Sequence, residues 1–464
     1  MARKIGFIPY VAGVVSSYVP LDMAVQTTDE LKRIDAVFAN MAGGQLLVPY
    51  AAAPTQITPL MLVYADGTNW NPGSGEGVYI RNLTNTSWTF LGSGGGGGGL
   101  TYWTEASATA APNDTVNVSS FIPVSAGANA DAALLPKGTG AILAAIPDST
   151  STSGNKRGAR AVDLQTERNN AAQVASGANS AIVAGRRCKA SAQYGGVFAS
   201  EEGANDGYAS FIGGGSFNSI TSGANYSASI GGLSNTINNA LYCVIGGTSC
   251  SISSGSHYST AFGRSNSITS PGGFAAGYNN TISGTYSSVG GGELNTASGA
   301  YSVVPGGRYG HTRGIHGAMA FASHTPSSAG QSQWMKNVLY VGTTDATATV
   351  AKSNSSTAGT TNQLVLVDGS AYLVRGMAIA RQNTTGDSKS WEFTAHIKRG
   401  SGVGTTALVG SATVTVIAAD AGAAAWTLAV TADTTNGGLA VTVTGEVSKT
   451  LRWTVDMNSV QVVG

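Results

Sequence analysis

Residues able to do chemistry are few in this chain, and their spacing suits little of it. The 464 residues hold 24 acids, 25 lysines and arginines and five histidines. Hydrolysis between sugars uses two carboxylates facing each other across a groove. Residues 171–324 offer only Glu201, Glu202, Asp206 and Glu293. The first three fall in Ala199-Ser-Glu-Glu-Gly-Ala-Asn-Asp206, which reads as an exposed loop, and Glu201 and Glu202 would point to opposite faces of a strand. His257, His311, His316, His324 and His396 lack zinc-type spacing with cysteines and read as polar turn residues. Cys188, Cys243 and Cys250 are too few for a disulfide framework and fit a reducing cytosol. Gly263-Arg-Ser265 lacks the second glycine of a nucleophile elbow. The glycine run 94–99 is followed by Leu100-Thr101 where a phosphate loop needs Lys-Ser/Thr. No catalytic, cofactor-binding or metal residue is therefore assigned, no cofactor is expected, and the chain is expected not to be an enzyme.

The elements that would position any such residue are β-strands. Gly is 64 of 464 residues and charged residues only 11%, while hydrophobic content is 42%. A disordered chain would show low hydrophobicity and high net charge; this composition suits short strands with frequent turns. A net charge of +1, with no basic run, excludes a phosphate-neutralising face, so no nucleic-acid partner is expected. No run of about 20 apolar residues is present to span a bilayer. The apolar run 5–15 after Arg3-Lys4 has a signal-like flank, but Pro9 interrupts it and no export signal is assigned.

Repeats dominate the middle of the chain. An aromatic residue followed by small residues and glycines recurs in Tyr208-Ala-Ser-Phe-Ile-Gly-Gly, Tyr226-Ser-Ala-Ser-Ile-Gly-Gly, Tyr242-Cys-Val-Ile-Gly-Gly, Tyr286-Ser-Ser-Val-Gly-Gly and Tyr301-Ser-Val-Val-Pro-Gly-Gly. Between them lies Asn218-Ser-Ile220, Asn235-Thr-Ile237, Cys250-Ser-Ile252, Asn266-Ser-Ile268, Asn280-Thr-Ile282 and Asn295-Thr-Ala297. The period of about 15–16 residues gives each unit two short strands and two tight turns. Stacked coils about 4.8 Å apart over 171–324 predict a parallel β-roll of about nine turns. Ile220, Ile230, Ile237, Ile245, Ile252, Ile268, Ile282 and Val289 are its predicted inward ladder.

The flanks differ. Residues 1–91 form a first unit, with an amphipathic helix predicted over 28–38 and a strand–turn–strand over 61–79. Residues 92–99 are a flexible linker, and 100–170 a β-rich neck. Alternation and turn residues over 335–464 predict a β-sandwich of seven or eight strands. Its Trp391, Phe393, Trp426 and Trp453 read as core rather than as a sugar-stacking platform. Residues 318–324 read as a cap over the last coil, followed by a polar linker to Trp334.

The segment Tyr64-Ala-Asp-Gly-Thr-Asn-Trp-Asn-Pro-Gly-Ser-Gly-Glu-Gly-Val-Tyr79 resembles a module of bacteriophage tail-fibre and receptor-binding proteins. So do Leu135-Pro-Lys-Gly-Thr-Gly140 and Gly154-Asn-Lys-Arg-Gly-Ala-Arg-Ala-Val-Asp-Leu-Gln165. The Tyr-Ser-x-x-x-Gly units resemble the β-roll head of trimeric autotransporter adhesins. Trp391-Glu-Phe-Thr-Ala-His-Ile-Lys-Arg-Gly400 and Ala432-Asp-Thr-Thr-Asn-Gly-Gly-Leu439 resemble a terminal domain of phage fibres.

The resemblance implies an all-β trimeric fibre: an N-terminal virion-attachment domain with a short helix, a solenoid shaft, and a distal, receptor-binding C-terminal sandwich. The implied partners are two further copies, tail or baseplate proteins through residues 1–91, and a host glycan or outer-membrane protein. Assembly would occur in the host cytoplasm, with no membrane insertion. A capsid-decorating head fibre, a bacterial surface adhesin and a glycan-depolymerising tailspike are the alternatives.

Overall fold

The computed structural model describes residues 50–59, 61–92, 103–108, 118–123, 134–324 and 328–464. The helix expected over 28–38 and the glycine run 94–99 lie outside the described residues. Two compact units divide the chain near residue 133. In the first, Leu62–Ala65, Gly77–Arg81 and Trp88–Gly92 form an antiparallel sheet. Its Asp66 carboxylate accepts the backbone N–H groups of Thr68, Asn69 and Trp70 at 2.8–3.2 Å and so fixes the turn. Trp70 meets Trp88 edge to face at 5.6 Å. Trp103–Ala108 pairs with Val118–Pro123 as a separate hairpin.

The second unit opens with a parallel β-solenoid of about eleven turns. Pairing begins between Ile142–Leu143 and Val162–Asp163, inside the segment expected to be a neck. At this end Asp163 is fully buried between Arg157 at 2.7 Å and Arg168 at 3.2 Å. Each coil has two strands. The first carries Ile182, Val197, Ile212, Ile245, Ala261, Ala275, Val289 and Val304 inward, and the second carries Ile220, Ile237, Ile252, Ile268 and Ile282, all fully buried.

Ile230 is the exception among the predicted ladder residues: it is 57% exposed, and Ser229 takes the inward place. In each coil the inward residue stands three positions after a corner residue of positive φ, as Ile212 follows Ala209, Ser229 follows Tyr226, Ile245 follows Tyr242 and Val289 follows Tyr286. The extra residue between Tyr226 and Ile230 turns that isoleucine to the opposite face, because side chains alternate with period two.

The Asn-x-Ile half-repeat has its cause in hydrogen bonding. Asn280 is fully buried. Its Nδ2 donates to the Ala276 carbonyl at 2.6 Å and the Gly292 carbonyl at 3.0 Å, and its Oδ1 accepts the Asn295 N–H at 2.9 Å. Asn218, Asn235, Asn266 and Asn295 repeat this bridge from coil to coil. Cys250 stands in place of asparagine between Asn235 and Asn266 and accordingly interrupts the ladder there. An Asn280→Ala variant leaves three buried backbone groups without that partner. At about 1–3 kcal/mol each, with partial relaxation, the expected loss is about 3 kcal/mol, read from the midpoint of urea unfolding.

At the far end Met319–Phe321 pairs antiparallel with Ser332–Thr343, which continues into the C-terminal sheet. The last coil is thus closed by a strand of the next layer, and the expected boundary at 335 falls within that strand. The larger sheet orders Thr413–Ala419, Ser388–Arg399, Ser370–Gln382, Leu451–Val463 and Ser332–Thr343 side by side. Packed against it is a smaller sheet built around Gly438–Thr444. Trp391, Trp426 and Trp453 are buried between the two.

Candidate functional site

The long strands of the larger sheet alternate strictly. In Ser370–Gln382, Tyr372, Val374, Ala378 and Ala380 face the core, so Leu373, Arg375, Met377 and Ile379 face outward. The register then assembles an outer surface from distant parts of the chain. Met377 stands opposite Glu392 on one side and Asp456 on the other, while Arg375 stands opposite Thr394 and Asn458. These residues, with Thr413 and Thr415, line a cavity of about 390 Å³. Lys336 reaches Asp456 at 3.2 Å from the neighbouring strand. Gly376, on the inner face between Arg375 and Met377, leaves room for the Phe393 ring, which a Cβ would overlap.

The cavity therefore gathers two carboxylates, a guanidinium, an amide and threonine hydroxyls on rigid strands. Guanidinium and carboxylate groups make the stronger, charge-assisted hydrogen bonds. Leu373 and Ile379, both exposed, provide apolar surface on the same strand. Such a surface offers hydrogen bonds to hydroxyl-rich ligands and contact to their C–H faces.

The acids considered in the repeats lie elsewhere, in ion pairs that link adjacent coils. Glu201 contacts Arg186, Glu202 lies 3.3 Å from Arg187, Asp206 2.9 Å from Lys189 and Glu293 3.3 Å from Arg308. Hydrogen bonding to Arg186, and then its charge, hold the Glu201 carboxyl below the usual range. Glu201 ends one short strand and Ala204–Asn205 form the next, with Glu202 and Asp206 directly after them. Burial pushes the thiols of Cys188, Cys243 and Cys250 up. Among the described residues no group of three His, Cys, Asp or Glu side chains is placed to hold a metal ion. His257 accepts the Leu241 N–H at 3.0 Å, and His324 meets Arg308 at 3.2 Å.

His311 sits where the solenoid joins the larger sheet. Its ring is 3.3 Å from the Ser298 hydroxyl, and its backbone exchanges hydrogen bonds with the Gln333 side chain at 2.8 and 2.9 Å. Burial, then the charge of Arg313, lower its pKa to about 4 from 6.5. The folded state thus holds the neutral ring, while the unfolded chain takes up a proton near pH 6.5. Stability from this group is intact above about pH 6.5, falls as pH drops towards 4, and is then level. The full loss is about 3 kcal/mol. His311→Gln should reduce the fall in urea midpoint between pH 7 and pH 4 by about that amount.

Sequence reasoning missed Arg375, Glu392 and Asp456. The available signal was their out-of-phase position within alternating strands, as in Trp391-Glu-Phe-Thr and Trp453-Thr-Val-Asp-Met-Asn.

No family model matches the chain, and no curated protein matches it in sequence. Solved structures similar to it include a tailspike protein of the Acinetobacter baumannii bacteriophage Fri1, a capsular polysaccharide depolymerase. That likeness has 7% identity and a TM-score of 0.17, covering 77% of this chain and 75% of the other. A tailspike protein of the Acinetobacter phage vB_ApiP_P1 is similar at 10% identity and a TM-score of 0.17, covering 67% and 59%. The expectation that the chain is not an enzyme is corrected here, since the first of these tailspikes is one. That expectation counted acids in the coils alone and left out Glu392 and Asp456. At such TM-scores no residue role passes from those proteins to this chain.

Proposed function

We propose that the chain is a bacteriophage tail appendage that engages a host-surface glycan through the groove around Arg375, Glu392 and Asp456. The observation that carries this reading is the convergence of charged and hydroxyl groups in one concavity on the outer face of a rigid sheet. The reading includes the homotrimer and the attachment of residues 1–91 to other virion proteins that the fibre resemblance implies. A capsid-decorating fibre would differ in where that first unit docks.

One further observation favours cleavage at the same groove. Glu392 and Asp456 both oppose Met377 and so lie two strands apart on one face, with backbones roughly 9.6 Å apart at the strand spacing of a sheet, a distance that side chains leaning towards each other shorten. Inverting glycoside hydrolysis uses carboxyl groups roughly 6.5–9.5 Å apart, one protonating the leaving oxygen and the other activating water.

The test is binding of the full chain to an array of purified bacterial surface polysaccharides. Arg375→Ala and Asp456→Asn should each weaken binding to the selected polysaccharide at least tenfold, about 1.4 kcal/mol. Glu392→Gln should abolish release of reducing ends with a smaller effect on binding. Binding unchanged in all three variants would remove the groove from the account.

A further inference from the structure

Ahead of the glycine corner at Gly232, Gly247, Gly263 and Gly277, the outer face of the first solenoid sheet is free of charge over ten coils. From the strand beginning at Ala181 to the one ending at Phe321, its outward positions up to that corner are apolar or glycine, apart from Thr260 and Ser288; beyond the corner the same strands carry Thr248, Arg264 and Tyr278. The other sides of the coil are different. The second sheet turns out Ser and Thr residues such as Thr236, Ser251 and Thr281, and the corner between the sheets carries the Arg186–Glu201 and Glu293–Arg308 pairs. Phe198, Phe211, Ile230, Phe274 and Phe321 are exposed on the charge-free face.

Parallel sheets normally have both faces covered, and this one is bare on one side. Large side chains on it alternate with glycine: a Cβ on Gly246 would meet Ile230 at 2.7 Å and Phe262 at 3.3 Å. The row also continues into the C-terminal sheet, where Phe321 pairs with Trp334 and Trp334 with Val460.

We infer that this face is the seam on which copies of the chain pack against one another. The inference deepens the assembly included in the proposed function by naming its surface. A second copy is the occupant that fits. Its own face has the same rise of about 4.8 Å per coil, so bulky residues of one copy can meet the glycine gaps of the other along the whole length. Neither copy would bury a charge. Ten strands at that spacing, about 10 Å wide, with the C-terminal continuation, give on the order of 600 Å² per copy. A standard interface covers about 800 Å² per partner, so this face would make up most of one, and about 600 Å² stands at the top of the range that a monomer leaves bare.

The experiment is light scattering on the full chain and on an Ile230→Lys, Phe262→Lys double variant. The wild-type mass should be a multiple of 46.6 kDa, and the double variant should fall to the single-chain mass with its β circular-dichroism signal intact. Lysines at Tyr226 and Tyr258, on the exposed tyrosine corner, should leave the assembly whole. A wild-type mass of one chain would overturn both this inference and the assembly. A double variant that keeps the wild-type mass would overturn the seam alone, as would dissociation by the tyrosine-corner variant only. Should the double variant lose its β signal, Phe274→Glu is read in the same way. Glycan binding on the array is measured separately and does not depend on either mass.

Discussion

Gly247→Ala is expected to destroy the solenoid locally and to lower stability by on the order of 4 kcal/mol. Gly247 has φ +106°, and a Cβ there would overlap the Gly263 carbonyl oxygen of the next coil. Gly232, Gly263, Gly277 and Gly292 occupy the same corner, each against the carbonyl of its successor. The neighbour is backbone held in a sheet, so it cannot move aside as a flexible side chain would. Backbone strain and overpacking then add at one point. Gly291 and Gly306 have open space around them and no positive φ, so alanine there should shift the midpoint by less than about 0.5 kcal/mol. Urea unfolding of the three variants checks the contrast. Equal effects at all three sites would show that the coil corners are not packed as described.

Trp453→Ala should cost about 3–5 kcal/mol and remove the unfolding transition of the C-terminal layers before that of the coils. Trp453 is buried, stacked on Trp391 at 5.3 Å and packed on Trp426 at 6.3 Å. Its Nε1 donates to the Thr343 hydroxyl at 3.0 Å, so truncation leaves both a cavity and a buried hydroxyl without that bond. Trp453→Phe restores most of the volume and should recover more than half of the loss. Tryptophan fluorescence during denaturation reads this directly.

The coil was legible because its constraints are local. Gly-Gly after an aromatic residue, and Asn two residues before Ile, recur since each coil must turn at a positive φ and bridge to its neighbour. What misled was phase. Tyr242-Cys-Val-Ile and Tyr226-Ser-Ala-Ser-Ile look alike, yet one added residue puts Ile245 inside and Ile230 outside. The start of the coils near Ile142 was also obscured, because the first turns lack the tyrosine that marks later ones. The groove was least legible. Glu392 and Asp456 become neighbours of Met377 only through pairing between strands far apart in sequence. Period-two alternation reveals that each faces outward, but nothing local reveals which residues share a row. The same limit hid the continuity of shaft and sandwich, since Trp334 was read as following a linker and instead pairs with Phe321.

The most direct test of the account is an electron cryo-microscopy map of the full chain with an oligosaccharide cut from the polysaccharide it selects. Sugar density is expected between Arg375, Glu392 and Asp456 on the outer face of the C-terminal sheet. Density along the solenoid, or on the first unit, with that groove empty would contradict it.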